Sequence, residues 1–217
     1  MTVGVPFAIP RWQWRTFASD LSWLNRRLSA PPSVEIRRVS QTHLVCLHSA
    51  HHAWLHDGML ELQWRKEVGG EGFELWDTIL RAEAPFQAVH LAQLYAAWGV
   101  AMPPQWQQDL DVATFLGGPI AETPSVRPVE VVRNSQNVML DGIACCLETI
   151  SAEPSILLQS FAVEHEDPEL LQHLLDDLGL HDRVNTSFLH GLRHGLGLPQ
   201  HETGRHVWAR KSNASTW

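Results

Sequence analysis

The stretch PVEVVRNSQNVMLDGIACCLETI, residues 128–150, decides the fold class. Its apolar residues recur with a period near two, and Asp141-Gly142 sits between two such runs, the pairing that suits a tight hairpin turn. The reading predicts strands over 128–133, 137–141 and 143–150, followed by another over 157–166. Four strands joined by short connections form an antiparallel meander.

Upstream the same period returns. Val34 and Ile36 alternate with Glu35 and Arg37, and Leu60, Leu62 and Trp64 alternate with Glu61, Gln63 and Arg65. Helical spacing interrupts the strands in four places. Ser19 precedes a stripe through Leu21, Leu24 and Leu28 that stops at Pro31-Pro32. Val89, Leu91, Leu94, Tyr95 and Trp98 predict a helix over 87–98 closed by Gly99. Asp167-Pro168 opens a leucine-striped helix stopped by Gly179, and a short helix is predicted over 186–196. Strands and helices intermix with hairpins rather than crossovers, which gives an α+β class with a mainly antiparallel sheet. Whether Glu61, Gln63, Arg65, Glu130 and Glu164 face water or a wet barrel interior is left open by alternation alone.

The chain has 217 residues and 44% hydrophobic composition, enough for one domain with a conventional core. The expected division is a single domain over 1–198 and a polar, flexible tail over 199–217. A net charge of −8 disfavours a general nucleic-acid binder, which needs a basic face. Three cysteines, two of them adjacent at Cys145 and Cys146, suit a reducing compartment better than a disulfide framework. With no signal-peptide pattern and no long apolar run, a cytoplasmic location without a membrane span is expected.

Several pieces, in order, resemble a divergent bacterial branch of the CYTH/triphosphate tunnel superfamily. They are Arg11-Trp12-Gln13-Trp14-Arg15, the strand-turn-strand His56-Asp57-Gly58-Met59-Leu60-Glu61-Leu62, the 76–85 stretch with Arg81-Ala82-Glu83, Ala162 to Pro168, and Asn185-Thr186-Ser187-Phe188 before a helix. The resemblance implies a tunnel-like β-barrel with helices packed outside. It also implies basic residues that grip a triphosphate and glutamates that hold Mg²⁺ or Mn²⁺, since hard cations take oxygen ligands and a transferred phosphoryl needs its charge neutralised.

The strongest signature of that family is broken here. Where Glu-x-Glu followed by a basic residue is expected, the chain reads Arg11-Trp12-Gln13-Trp14-Arg15, and neither Arg11 nor Gln13 replaces a carboxylate ligand. Positions that carry Lys or Arg in relatives align with Trp54, His56 and Gln63. The residues left to hold a polyanion are Arg15, Arg37, Arg81 and Arg133, and those left to rebuild a metal site are Glu130, Glu148, Glu164 and Glu166.

The resulting expectation is a non-catalytic binding or assembly module with no resident cofactor, partnered by another protein, a second copy or a phosphate-containing small ligand. A metal-dependent triphosphate or polyphosphate hydrolase and a phosphate sensor without turnover are the alternatives. His43, His48, His51, His52 and His56 cluster without the thiolates of a structural zinc site, and solvated strand-end and loop positions are expected for them. His190 and His194 read as exposed on the last helix. The ten tryptophans divide between cover for the barrel exterior and an interface, with Trp106, Trp208 and Trp217 expected in loop or tail.

Overall fold

A computed structural model describes residues 9–28, 35–153 and 156–199. The predicted helix stop at Pro31-Pro32, almost all of the expected tail, and Trp208 and Trp217 fall outside the described residues.

Eight strands close into a barrel: β1 (Arg11–Ala18), β2 (Glu35–Cys46), β3 (His52–His56), β4 (Met59–Val68), β5 (Glu74–Glu83), β6 (Val126–Leu140), β7 (Ile143–Ala152) and β8 (Ile156–His165). Their order around the wall is β1-β5-β4-β3-β2-β6-β7-β8, and every pairing is antiparallel. Closure depends on β1, which pairs with β5 through residues 11–13 and with β8 through residues 12–18. A closed wall has no unpaired edge.

The hairpins follow local chemistry. Asp57-Gly58 and Asp141-Gly142 take positive φ at both positions (48° and 77°, 49° and 85°), the conformation that matches a two-residue turn to strand twist. The chain over 126–140 is one 15-residue strand rather than the two expected. Asn134, Ser135 and Gln136, which read as a break, are each paired on both sides, with β2 and with β7. Ser135 shares the inner face with Arg133, while Asn134 and Gln136 fall on the outer face, where Asn134 is exposed, so polar residues stay in the ladder on either side of the wall.

Helices α1 (Ser22–Leu28), α2 (Ala88–Trp98), α3 (Val112–Phe115, continued by a π-helical turn over Leu116–Ile120) and α4 (Pro168–Leu178) cover the outside. Under α2 and α3 lie Leu44, Leu55, Leu60, Leu62 and Leu80, with Trp98 and Tyr95 fully enclosed. Under α1 and α4 lie Trp14, Leu147, Phe161 and Val163. Both α2 and α4 end on a left-handed glycine, Gly99 and Gly179, as their sequences predicted.

The α3 region was not anticipated, because it is too short to display a helical period. It carries Trp106, whose indole lies on Gly118 and donates to Glu122 at 2.9 Å. Trp106 is thus cover for the barrel exterior. A Cβ at Gly118 would lie 2.5 Å from that ring, whereas one at Gly117 would meet open space. Gly118→Ala is expected to destabilise by about 1–3 kcal/mol through overpacking. Gly117→Ala should be neutral or stabilise by up to about 1 kcal/mol through helix propensity. Urea unfolding of the two variants gives opposite signs on this account, and equal signs would remove it.

The last helix, α5 (Phe188–Gly195), behaves differently from the other four. Its buried residues Leu189 and Leu192 pack with Phe17, Val45, Val129, Val131 and Ile150, which share a wall face with Arg15, His43, Arg133 and Glu148 through the period of two. That is the inner face, so α5 lies across one mouth of the barrel. Among the described residues no helix is long and apolar enough to cross a membrane, which says nothing of strands.

Candidate functional site

Following the register around the wall places the inward side chains in rows. One row runs Arg15, Ala162, Cys146, Asn137, Glu35. The next runs Phe17, Ser160, Glu148, Ser135, Arg37. Small residues beside Glu148 leave room for arginines from the adjoining rows to fold over it. Arg15 Nη1 donates to Glu148 Oε1, and Arg133 donates to Oε2 through Nε at 2.7 Å, with its Nη2 ion-paired to the same oxygen at 2.6 Å. Ser160 Oγ adds a hydrogen bond to Oε1 at 2.9 Å.

The Glu148 side chain is 0% exposed. Burial alone would raise its pKa, but Arg15 and Arg133 outweigh burial and hold it below the ordinary carboxylate value. It is an anion with its lone pairs occupied.

Behind this layer an aromatic plug closes the lumen. The Phe188 ring from α5 lies 5.2 Å from the Arg15 guanidinium and 5.1 Å from that of Arg133, within cation–π range. His43 stacks on Phe188 at 4.8 Å and on His52 at 5.0 Å, and His43 Nδ1 lies 2.9 Å from His52 Nε2. Burial, with Arg133 and Arg15 nearby, pushes His52 down to about 3, and burial with His52 alongside lowers His43 as well. Both rings are neutral packing elements. These histidines are therefore interior, in contrast to the solvated positions expected, because α5 (Phe188–Gly195) arrives from far downstream in the sequence to cover them. His190 and His194 are exposed on α5, as expected.

The plug is tied in by polar contacts. Asn185 accepts from the Arg15 backbone N–H at 2.8 Å and donates to the Gly72 carbonyl at 2.7 Å, and Thr186 N–H donates to the Arg15 carbonyl at 2.7 Å. This segment takes up the β1 backbone where β5 leaves it after Gln13. At the other end of α5, buried Arg193 donates to the carbonyls of Cys46 and Ser49.

The four arginines expected to hold a polyanion are all engaged with carboxylates. Arg15 and Arg133 share Glu148, Arg37 pairs with Glu35 at 2.7 Å, and Arg81 pairs with Glu61 at 2.9 Å. The four glutamates expected as metal ligands do not converge. Glu130 is on the outer face, accepting from Thr42 at 2.5 Å. Glu166 lies exposed beyond the end of β8. Glu164 pairs with Arg11 at 3.7 Å, and Glu148 is enclosed by arginines. A hard divalent cation needs several oxygens on one point, and among the described residues no group of three acidic, histidine or cysteine side chains is so placed. The residues present do not fit Mg²⁺ or Mn²⁺.

On the side of the Arg15–Glu148–Arg133 layer away from the plug, the lumen opens into a chamber of about 600 Å³. Gln13, Glu35, Asn137, Met139, Ala144, Cys146, Ala162 and Glu164 line it above the two arginines. Gln13, Asn137 and Ala162 were not singled out from the sequence as site residues. Gln13 and Asn137 share parity with Arg15 and Arg133 on continuous strands, and Ala162 shares parity with Glu164 on β8, which is the signal that finds them. Burial raises the Cys146 thiol to about 11 and the Cys145 thiol to about 12, so neither is a thiolate at neutral pH.

No protein-family model matches the sequence, and no curated protein matches it. Among solved structures, the chain is similar to a Bacillus halodurans protein provisionally named an adenylate cyclase, at 14% identity and a TM-score of 0.46, covering 81% of this chain and 92% of the other. A conserved hypothetical protein of Pyrococcus furiosus is similar at 11% identity and a TM-score of 0.45, covering 82% and 98%. An RNA triphosphatase of S. pombe is similar at 11% identity and a TM-score of 0.34, covering 83% and 87%. The structure itself establishes a closed eight-stranded antiparallel barrel with covering helices, the architecture implied by the resemblance to the CYTH/triphosphate tunnel superfamily.

Proposed function

We propose that this protein is a non-catalytic binding module that takes a small ligand into the open half of its barrel. The observation that carries the reading is the pairing of every candidate phosphate arginine with a carboxylate of the same barrel. A triphosphate would have to displace those carboxylates, and leaving Glu148 buried without its arginines is costly. Phosphoryl transfer also needs converging groups to neutralise developing charge, and the glutamates are dispersed over both faces of the wall.

The test is calorimetric titration of the purified, metal-free protein with inorganic triphosphate, with and without Mg²⁺ or Mn²⁺, followed by a phosphate-release assay on the same samples. The expected result is no metal-dependent binding and no release. Metal-dependent release would overturn the reading in favour of a hydrolase, and tight triphosphate binding without release would replace it with a phosphate sensor.

A further inference from the structure

The chamber has a definite chemistry, and it narrows the ligand class within the binding reading above, on which this step rests. Its floor holds two guanidinium groups against one carboxylate, so one positive charge is left uncompensated there among the described residues. At the rim Glu35 faces Arg37 and Glu164 faces Arg11, pairs that cancel. Arg133 uses Nε and Nη2 on Glu148 and Nη1 on Gln41. Arg15 donates through Nη1 alone, to Glu148 and Ser160, and makes no hydrogen bond through Nε or Nη2 among the described residues, while its guanidinium lies against the Phe188 ring. The Arg15 side chain is 16% exposed, and it lines the chamber.

The wall beside Arg15 is small and apolar. Ala162 is its register partner on β8, Cys146 is the partner of Ala162 on β7, and Ala144 lies one row further toward the mouth. These short side chains create the chamber's space, and Met139 extends the apolar surface to the rim. The volume lies within the range of about 300–1,000 Å³ in which proteins enclose small molecules, with apolar walls and a few placed polar groups.

We infer that the chamber binds a small organic monocarboxylate, its carboxylate on the Arg15 and Arg133 side of the floor and its apolar body along Ala144, Cys146 and Ala162. A polyanion exceeds the single uncompensated charge and meets Glu35, Glu148 and Glu164. A cation meets the positive floor. A neutral apolar molecule would cover the remaining Arg15 donors without pairing them, at the cost of desolvating charged N–H groups. A polyol has few partners along the alanine and cysteine wall. One carboxylate with an apolar body satisfies floor and wall together, and guanidinium groups suit it geometrically.

The experiment uses the full chain and two matched probe pairs, octanoate with octanamide and 4-phenylbutanoate with 4-phenylbutanamide, measured by calorimetry and thermal shift. At least one carboxylate is expected to bind one per chain and at least tenfold more tightly than its amide. Arg15→Gln should abolish that preference, while Arg81→Gln, whose partner Glu61 lies elsewhere in the lumen, should leave it intact. Ala162→Phe fills the chamber without changing charge and should abolish binding, which provides a second arm if Arg15→Gln fails to fold by circular dichroism. Equal affinity for acid and amide, binding that survives Ala162→Phe in a folded protein, or no binding of any probe at millimolar concentration would overturn the ligand class. If triphosphate is also neither bound nor cleaved, the ligand class alone is wrong. Metal-dependent cleavage of triphosphate would instead remove the binding reading itself.

Discussion

Glu148→Gln is expected to destabilise the barrel by about 3–5 kcal/mol, the range for removing one partner of a buried ion pair. The side chain it replaces is wholly enclosed and carries two guanidinium groups on its two oxygens. Glutamine keeps the shape but removes the charge, so Arg15 and Arg133 are left facing each other as like charges in a poorly hydrated lumen. Equilibrium urea unfolding at pH 7 measures the loss. Glu61→Gln serves as contrast, because the Arg81 side chain it pairs with is 46% exposed, and solvent screening holds the cost to about 1 kcal/mol or less. Replacing all three members of the layer together, as Arg15→Met, Glu148→Leu and Arg133→Met, should recover much of the stability lost in Glu148→Gln, since no uncompensated charge then remains.

The same layer gives the barrel a pH dependence of defined sign. The folded-state pKa of Glu148 lies below its ordinary value of 4.5, because Arg15 and Arg133 overcome the effect of burial. A carboxylate with a depressed pKa contributes stability that is fully present above the unfolded value and is lost as pH falls through the folded one. The difference in stability between wild type and Glu148→Gln should therefore be constant above about pH 5 and shrink as pH falls below 4.5. A difference unchanged down to pH 3 would mean that folding does not lower the Glu148 pKa, and so that Arg15 and Arg133 do not outweigh burial.

Local signals in the sequence placed most elements well. Asp141-Gly142 marks a hairpin because only a few residue types accept two positive φ angles, and Gly179 ends its helix for a similar reason. Closure was not legible, because it rests on β1 pairing with residues more than 50 positions away on one side and more than 140 on the other. No local period reports such distances. The resemblance supplied what periodicity could not, namely a closed barrel with inward-facing charged side chains, although Glu130 turns outward to Thr42.

The candidate site was legible in part. Arg15, Arg133, Glu148 and Glu164 all face the lumen, but Glu130 and Arg133 are an odd number of positions apart on one continuous strand and so face opposite sides. That parity was readable from the sequence once the strand was taken as unbroken. What no parity could show is which arginine meets which glutamate, since Arg15 and Glu148 are 133 residues apart and joined only through the closed wall. Likewise His43 looked like one of several surface histidines until α5 covered it.

The tight seating of α5 makes Gly191→Val the second large effect, with an expected loss of about 3 kcal/mol. Even a lone Cβ at Gly191 would fall inside van der Waals contact of the Phe17 ring, with ring carbon Cδ2 at 2.8 Å and two others nearer. Phe17 is itself buried against Val45, Val129, Val131 and Ile150 and has nowhere to retreat. Valine adds two methyl groups to that clash, and overpacking of this kind costs about 1–3 kcal/mol or more. Phe17→Ala alone should cost about 3–5 kcal/mol as a buried aromatic deletion. Combining the two should cost less than their sum by about 1–3 kcal/mol, because the valine occupies the space the ring leaves. Hydrogen exchange supplies the local readout: in Gly191→Val the α5 amides should lose protection at a lower free energy than the amides of β6 and β7. Strict additivity of the two substitutions, or α5 protection equal to that of the wall, would mean that the helix does not seat against Phe17 as a plug.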